Sequence, residues 1–436
     1  MKIIYVSQYF PPEMGAPAAR VSELARRWCE QGHAVTVLTG FPNHPTGVVV
    51  PEYRKQLRRL ILREMFSGID VLRTWLLPLP NRKAYERVLN YLSFSLSAAI
   101  SGLFLETPDV VIATSPQLLV GLSGYWLARS RRVPFVFEVR DLWPESLAAV
   151  GAGGEKSLLH RLLARLAAFL YRRADHIVVV TPAFKEQLVQ CWRVPAEKIS
   201  VVENGVETDL FHPDVLALGV REELGAEGKV LVSYIGTIGM AHGLETLLQA
   251  AVILQSERED VLLLVLGEGA EKQGIQRRAQ ELGLRNVIFS NEQPRETIPA
   301  YICASDICLV VLKKTDVFRT VIPTKLLEYM ACGRSVILGV DGQARAILDE
   351  AQAGFFVEPE NARQLTDAVV VLACNPELRK QFGQNGRRFV VEKMSRRETA
   401  ARYLEALNRV LTPATREVKN EIEQVPQEAI TAGQQS

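Results

Sequence analysis

Short apolar runs almost free of charge, set apart by helical stretches, constrain this chain more than any other feature. KIIYV at 2–6, AVTVL at 34–38, DVVIA at 109–113, FVFEV at 135–139 and HIVVV at 176–180 are such runs. A strand that alternates apolar and polar residues has one wet face; a continuous apolar run is buried on both, which requires parallel strands joined by crossover helices. A helix over 18–31, stopped by Gly32, follows the first run. The alternation then restarts with VLVSYIG at 230–236, VLLLVLG at 261–267, NVIF at 286–289, ICLVVL at 307–312 and SVILGV at 335–340. Leu244, Leu247, Leu248 and Ala251 form a helical stripe between the first two of these. Between the two series, 202–228 mixes charges, glycines and His212-Pro213, and the pattern stutters. The expected class is therefore α/β, with two doubly wound, Rossmann-like parallel-sheet domains at 1–205 and 229–392, and a linker at 206–228. A helix over 393–411 is expected to return to the first domain. The tail, 412–436, loses its apolar period and is expected to be disordered. A chain of 436 residues is too long for one ordinary domain, and a hydrophobic fraction of 48% can fill two cores.

Two parallel sheets give two rows of strand C-terminal ends, and ligands bind outside such ends. Facing rows make one cleft. In the second domain, IPTKLLEYMACG at 322–333 reads as a helix start, with Pro323 in its first turn and Gly333 as its stop. Thr324 and Glu328 share a face, while Leu326, Leu327 and Met330 point to a core. A helix start is a seat for phosphate, and a carboxylate one turn further in can accept both hydroxyls of a ribose. An amphipathic helix with a solvated Glu and Lys accounts for the same stretch, so the rest of the chain decides. GTIGMAHG at 236–243 is a glycine-bearing turn between strand and helix, and contains Gly236, Thr237, Gly239 and His242; its spacing is not the dinucleotide fingerprint G-x-G-x-x-G. GEG at 267–269, around Glu268, is a second such turn. In the first domain, SQYFPPEMGAPAAR at 7–20 places Gly15 before a helix, with Arg20 one turn beyond. FEVRDLWPES at 137–146 ends a buried strand in Arg140 and Asp141, with Glu145 close by, where a cleft rather than a core is expected.

The net charge of +2 argues against a nucleic-acid partner. The six cysteines form no C-x-x-C pair and suit neither a zinc site nor a disulfide framework, which points to a reducing cytoplasm. The apolar run at the N-terminus is too short for a signal peptide, and no run approaches 18 apolar residues without a charge.

Taken in order, GHAVTVLTG at 32–40, FPNHPTG at 41–47, EVRDLWPES, VENGVETDLF at 202–211, GTIGMAHGLETLLQA, GEG, ASDICLVVL at 304–312 and IPTKLLEYMACGRSVI resemble retaining glycosyltransferases of family four, which have the GT-B fold. The likeness runs over about 1–410 and is nearest to the branch that builds bacterial surface polysaccharides, including N-acetyl-fucosamine transferases. It implies transfer of a sugar, here an N-acetyl-hexosamine or its 6-deoxy form, from a UDP-sugar to a lipid-linked or saccharide acceptor, with retention, no metal and no cofactor. By the same resemblance Glu328 holds the ribose and Pro323, Thr324 and Lys325 the diphosphate, with Leu326, Gly236, Thr237, Gly239, His242 and Glu268 as further donor-binding candidates. Gly15 is the glycine of the first turn, and Asn43, His44 and Arg20 are acceptor candidates.

Four positions depart from the family. Thr320 stands where the first Glu of its Glu-x7-Glu motif contacts the donor sugar. Thr237 and His242 replace its Arg and Lys, and Arg140 replaces its His. Charge for the leaving diphosphate then falls to Lys325, Arg319 and Arg140, with backbone amides at the Pro323 helix start. The catalytic candidates are Arg140, Asp141 and Thr320. A non-hydrolysing UDP-sugar epimerase shares the fold, but no acid–base pair flanking a sugar is identifiable. An inactive nucleotide-sugar-binding protein also fits the substitutions at Thr237, His242 and Thr320. Finally, the uncharged run at 91–105, behind Arg82, Lys83 and Arg87, and the basic amphipathic stretch at 158–173 suggest a peripheral site on an anionic membrane; core packing is the competing reading, and the stronger one for the second stretch.

Overall fold

The computed structural model describes residues 1–13, 15–44, 46–80, 83–143 and 158–412. Glu145, Arg82 and the tail beyond 412 lie outside these residues. The strands are β1 (Lys2–Val6), β2 (Ala34–Gly40), β3 (Ile61–Phe66), β4 (Ile69–Thr74), β5 (Val110–Thr114), β6 (Phe135–Val139), β7 (His176–Val179) and β8 (Ile199–Val201) in the first domain. The second domain holds β9 (Val230–Ile235), β10 (Val261–Leu266), β11 (Val287–Ser290), β12 (Ile307–Val311), β13 (Ser335–Gly339) and β14 (Gly354–Phe356). The first sheet has the order β3-β4-β2-β1-β5-β6-β7-β8, and the second β11-β10-β9-β12-β13-β14. All pairings are parallel except β3–β4. In both sheets the order reverses beside the first strand of the domain, which opens a crevice at the strand C-terminal ends.

Reading for buried runs misses the β3–β4 hairpin, because β3 alternates exposed and half-buried residues at the sheet edge. Its turn is Ser67-Gly68, with φ of 50° and 81°. Positive φ at both turn residues matches the right-handed twist of the flanking strands. The three-residue strands β8 and β14 are too short to stand out as runs.

Helices cover both faces of the first sheet. On one face Phe94, Ala98, Leu118, Leu127, Ala167 and Leu170 meet Ile4, Val6, Val111 and Phe135. On the other, helix Ala16–Glu30 and the last helix, Arg396–Leu411, meet Ile3, Tyr5 and Val35 through Val21, Leu24, Trp28, Tyr403 and Leu407. The last helix thus packs on the first domain, far from its neighbours in sequence. Residues 206–228 do not hang free: Val206, Phe211, Val220, Leu224 and Ala226 are buried in the second domain's core. The chain's two crossings between domains are paired, with the Val206 N–H donating to Met394 O (3.0 Å) and the Arg396 N–H to Val206 O (2.7 Å). Val321, just before the Pro323 helix start, packs against the cores of both domains.

Trp28 ties the last helix down. Its indole N–H donates to Ala400 O at 3.1 Å, and its ring stacks on Tyr5 and meets Tyr403 edge-on. Trp28→Ala should cost about 3–5 kcal/mol in urea unfolding followed by circular dichroism, the range for emptying a large aromatic site. A loss below about 1 kcal/mol would mean that the last helix is not docked there.

Candidate active site

The second domain builds its site from three consecutive features at strand ends. Ile235 ends β9 and Gly236 opens the next turn with φ 138°. A Cβ at Gly267 would come within 2.0 Å of Gly236 O, and one at Gly269 within 2.2 Å of Ile238 O. The turns after β9 and β10 are therefore stacked backbone on backbone, which only glycine permits. Helix Thr324–Ala331 supplies the third feature. No side chain caps its first turn, so its leading N–H groups are open to an anion. Pro323 is the N-cap, one position before the first turn. Tyr329, on the same helix, accepts from the Ile235 N–H (2.9 Å) and donates to Ile235 O (3.0 Å). The helix and the Gly236 turn are thereby fixed to each other.

Lys325 joins them. Its Nζ is shielded from solvent and has no hydrogen-bond partner among the described residues. It lies 3.7 Å from the centre of the Tyr234 ring and 3.0 Å from where a Cβ at Gly236 would stand. Burial pushes its pKa down to about 7, with Glu328 pulling the other way. His242 is bonded within its own turn, to the Gly239 N–H at 3.3 Å, and burial and then Lys325 push it down to about 4. Cations held below their usual charge in a dry, glycine-lined turn are poised for an anion that restores it. Glu328, one turn along, offers a carboxylate with Oε1 held by Arg295 Nη1 at 3.0 Å.

Other expected donor contacts are placed less directly. Thr324 opens the helix half-buried, and Thr237 is exposed with its carbonyl bonded to the Tyr234 hydroxyl (2.5 Å). Leu326 is fully buried in the core, and its N–H already bonds Pro323 O at 3.1 Å; it is a packing residue. The Glu268 carboxylate pairs with Lys272 at 2.5 Å. Thr320 turns its hydroxyl back onto Val317 O at 2.7 Å. The charge of Arg319 is partnered by Asp341 at 3.2 Å, which removes it from the free cations expected for diphosphate.

The first domain presents Gly15, Asn43, His44, Arg140 and Asp141 at or beside its own strand ends. Gly15 has φ 123° and caps helix Ala16–Glu30. Arg140 reaches Ala16 O (3.2 Å) and Pro17 O (3.4 Å) on that helix. Burial raises the Asp141 carboxyl to about 6, with Arg140 opposing. Arg20 is no acceptor contact. It is buried, its Nε donating to Glu138 (2.9 Å), Nη2 to Val202 O (3.0 Å) and Nη1 to Glu203 O (2.9 Å) and Asn204 (3.2 Å). All its donors are spent inside the fold, where Glu138 also accepts from the Tyr5 hydroxyl. Sequence reasoning missed Glu13, whose carboxylate holds the loop after β2 through the N–H groups of Asn43 (2.8 Å) and His44 (2.9 Å), and that of Phe10 (3.1 Å). Burial raises it to about 7 against those donors. A lone Glu in a Pro-rich loop was its only signal. Among the described residues no group of three or more His, Cys, Asp or Glu side chains is placed to hold a metal ion.

Two family models match this frame: a glycosyl transferase 4-like domain over residues 15–205 and glycosyl transferases group 1 over 220–389. The chain belongs to the group 1, GT4-like glycosyltransferases of GT-B fold. It is similar to the glycosyl transferase WcaI of Escherichia coli K12, named for colanic acid biosynthesis, at 25% identity over 85% of this chain and 91% of that one. Anabaena HepE, solved with UDP, shares the fold at TM-score 0.69 and 16% identity, over 94% of this chain and 100% of that one. WaaG, a glycosyltransferase involved in lipopolysaccharide biosynthesis, does so at TM-score 0.65 and 17% identity, over 92% and 98%.

For this glycosyltransferase the Lys325 environment sets a pH dependence. Lys325 titrates at about 7; a diphosphate bound beside it would raise that value, so that binding above about pH 7 would take up a proton. Nucleoside diphosphate affinity should fall by up to about tenfold per pH unit between roughly pH 7.5 and 9, because one proton is linked. Below about pH 7 Lys325 is already charged and contributes no slope. Calorimetry in buffers of different ionisation enthalpy checks the uptake, which Lys325→Met should abolish.

Proposed function

We propose that this glycosyltransferase moves a sugar, an N-acetyl-hexosamine or its 6-deoxy form, from a UDP-sugar to a lipid-linked or saccharide acceptor in surface polysaccharide assembly, with retention and without a metal. The observation that carries this reading is the unpartnered Lys325 ammonium facing the Gly236 turn, with Glu328 one turn further along the same helix. Diphosphate and ribose are separated by about one helical turn, so this spacing fits a nucleotide. The relatives support the wider reading: HepE was solved with UDP, WcaI is named for colanic acid biosynthesis and WaaG for lipopolysaccharide biosynthesis.

The second domain holds the nucleotide and the first the acceptor. Closure of the cleft excludes water that would hydrolyse the donor. As the sugar–phosphate bond breaks, charge on the leaving diphosphate is met by Lys325, by the open N–H groups of helix Thr324–Ala331 and by Arg140 across the cleft. The acceptor hydroxyl attacks from the face that the nucleotide leaves, and its proton passes to the departing diphosphate oxygen. Thr320, with its hydroxyl turned inward, lies near the sugar and shapes the pocket without supplying a carboxylate.

The acceptor is brought from a membrane surface. Helix Ala84–Gly102 exposes Tyr85, Leu89, Leu92, Leu96 and Ile100 at helical spacing, continued by Phe104, which is 78% exposed. Helix Leu118–Arg131, which packs on it, exposes Trp126, and helix Leu158–Arg173, which packs on that one, exposes Leu158 and Leu162. Lys83 and Arg87 flank the stripe. Among the described residues no helix is long and apolar enough to cross a bilayer, so the stripe fits an interfacial site with basic groups at anionic headgroups.

UDP should stabilise the protein against heat and GDP or dTDP much less, since a ligand that binds only the folded state stabilises it by mass action. Glu328→Gln should weaken UDP by about tenfold or more, the difference between a charged and a neutral hydrogen-bond acceptor. Strong stabilisation by GDP or dTDP with none by UDP would overturn the donor assignment. Flotation with anionic liposomes checks the membrane: binding at low salt, weakened by high salt and lost in Leu96→Asp with Phe104→Asp, is expected, and no binding at low salt would sink it.

A further inference from the structure

We infer that Arg295 is a positioning residue for the donor nucleotide and that Glu23, in the other domain, sets its position; this rests on the reading of Glu328 as the ribose contact. Arg295 stands in the loop after β11 and its guanidinium divides between the domains. Nη1 donates to Glu328 Oε1 at 3.0 Å, while Nε (3.1 Å) and Nη2 (2.6 Å) donate to Glu23 Oε1. The second oxygen of Glu23 accepts from Arg396 Nε at 2.8 Å, and Arg396 Nη2 donates to Gly205 O at 2.7 Å. The path runs from the nucleotide helix to the helix that begins at Gly15, and ends where both crossings of the chain between domains are paired. Glu23 is nearly buried; burial raises its pKa, but Arg396 and Arg295 outweigh this and keep it ionised. The Arg295 guanidinium also lies 5.1 Å from the centre of the Phe211 ring, which limits its movement.

The geometry gives Glu23 a function beyond packing. Arg295 takes only one oxygen of Glu328 because its other donors are held by Glu23. The second Glu328 oxygen has no hydrogen-bond partner among the described residues and remains for a diol. With Glu23 neutralised, Arg295 is released to bind Glu328 with both prongs of its fork, the preferred geometry of an Arg–carboxylate pair. That would occupy the oxygen that the ribose needs. Without Arg295, Glu328 loses the bond that orients it. Either change weakens the nucleotide, although Glu23 belongs to the domain that does not hold it.

Titration calorimetry with UDP on Arg295→Met, Glu23→Gln and the double variant tests this. Each single change should weaken UDP about tenfold, and the double variant should be no weaker than the worse single one, because both act through one chain of contacts. A purely structural Glu23 would lower the melting temperature and leave UDP affinity at the parent value, which would overturn the inference; so would effects that multiply in the double variant. Glu328→Gln separates the two levels. If it binds UDP like the parent, the ribose reading itself fails; if it loses UDP while Glu23→Gln does not, only the coupling fails. Should Glu23→Gln not fold, Arg295→Lys replaces it: a single ammonium cannot hold both carboxylates, so a tenfold loss is expected and an unchanged affinity counts against the proposal.

Discussion

Lys325 carries an ammonium into a place where no described residue hydrogen-bonds to it and Glu328 attracts it only through space. It rests on the face of Tyr234, against the bare backbone of Gly236, and its proton is held so loosely that the group titrates near neutrality. A buried cation without a partner costs free energy unless a ligand supplies the missing charge. The neighbouring features share this logic. Gly267 and Gly269 bring two turns into backbone contact, Tyr329 fixes the helix start to the strand end, and His242 stays neutral within its own turn. On the proposed reading, the stability given up at Lys325 returns as binding energy when a diphosphate pairs with it.

The first domain contributes by a different means. Its charges are mostly consumed within the fold: Arg20 and Glu138 lie under the cleft, and Glu13 ties a loop from below. Arg140 and Asp141 stand half-buried beside the helix that Gly15 opens. On the proposed reading, one domain presents an anion site with a ribose carboxylate, and the other a floor for a sugar acceptor. Between them, Val321 packs on both cores and Arg295 bonds to both sides. Helix Thr324–Ala331 is thereby joined to the domain seam.

Much of this was legible in the sequence. The parallel strands announce themselves as apolar runs with few interruptions, because burial on both faces leaves few positions for a polar residue. Pro323, Lys325 and Glu328 declare a helix start with useful chemistry because they are close in sequence. The β3–β4 hairpin was not legible, since an edge strand has a wet face and β3 shows no run. Arg20 looked like a cleft residue because its helix begins there, yet its side chain turns inward to a strand more than a hundred residues away. Arg295 and Glu23 carried no signal at all, since each acquires meaning only when the domains meet. Local chemistry is readable along the chain, whereas contacts between remote charges depend on the assembled fold.

The central claim is that the turn at Gly236 and the helix start at Pro323 form a single seat for diphosphate, with ribose at Glu328. A crystal structure of the protein with UDP tests it most directly. The account predicts phosphate oxygens within hydrogen-bond distance of Lys325 Nζ and the first N–H groups of helix Thr324–Ala331, and the ribose hydroxyls on Glu328. A diphosphate bound elsewhere, with Lys325 still lying on Tyr234 and Glu328 bonded only to Arg295, would contradict it.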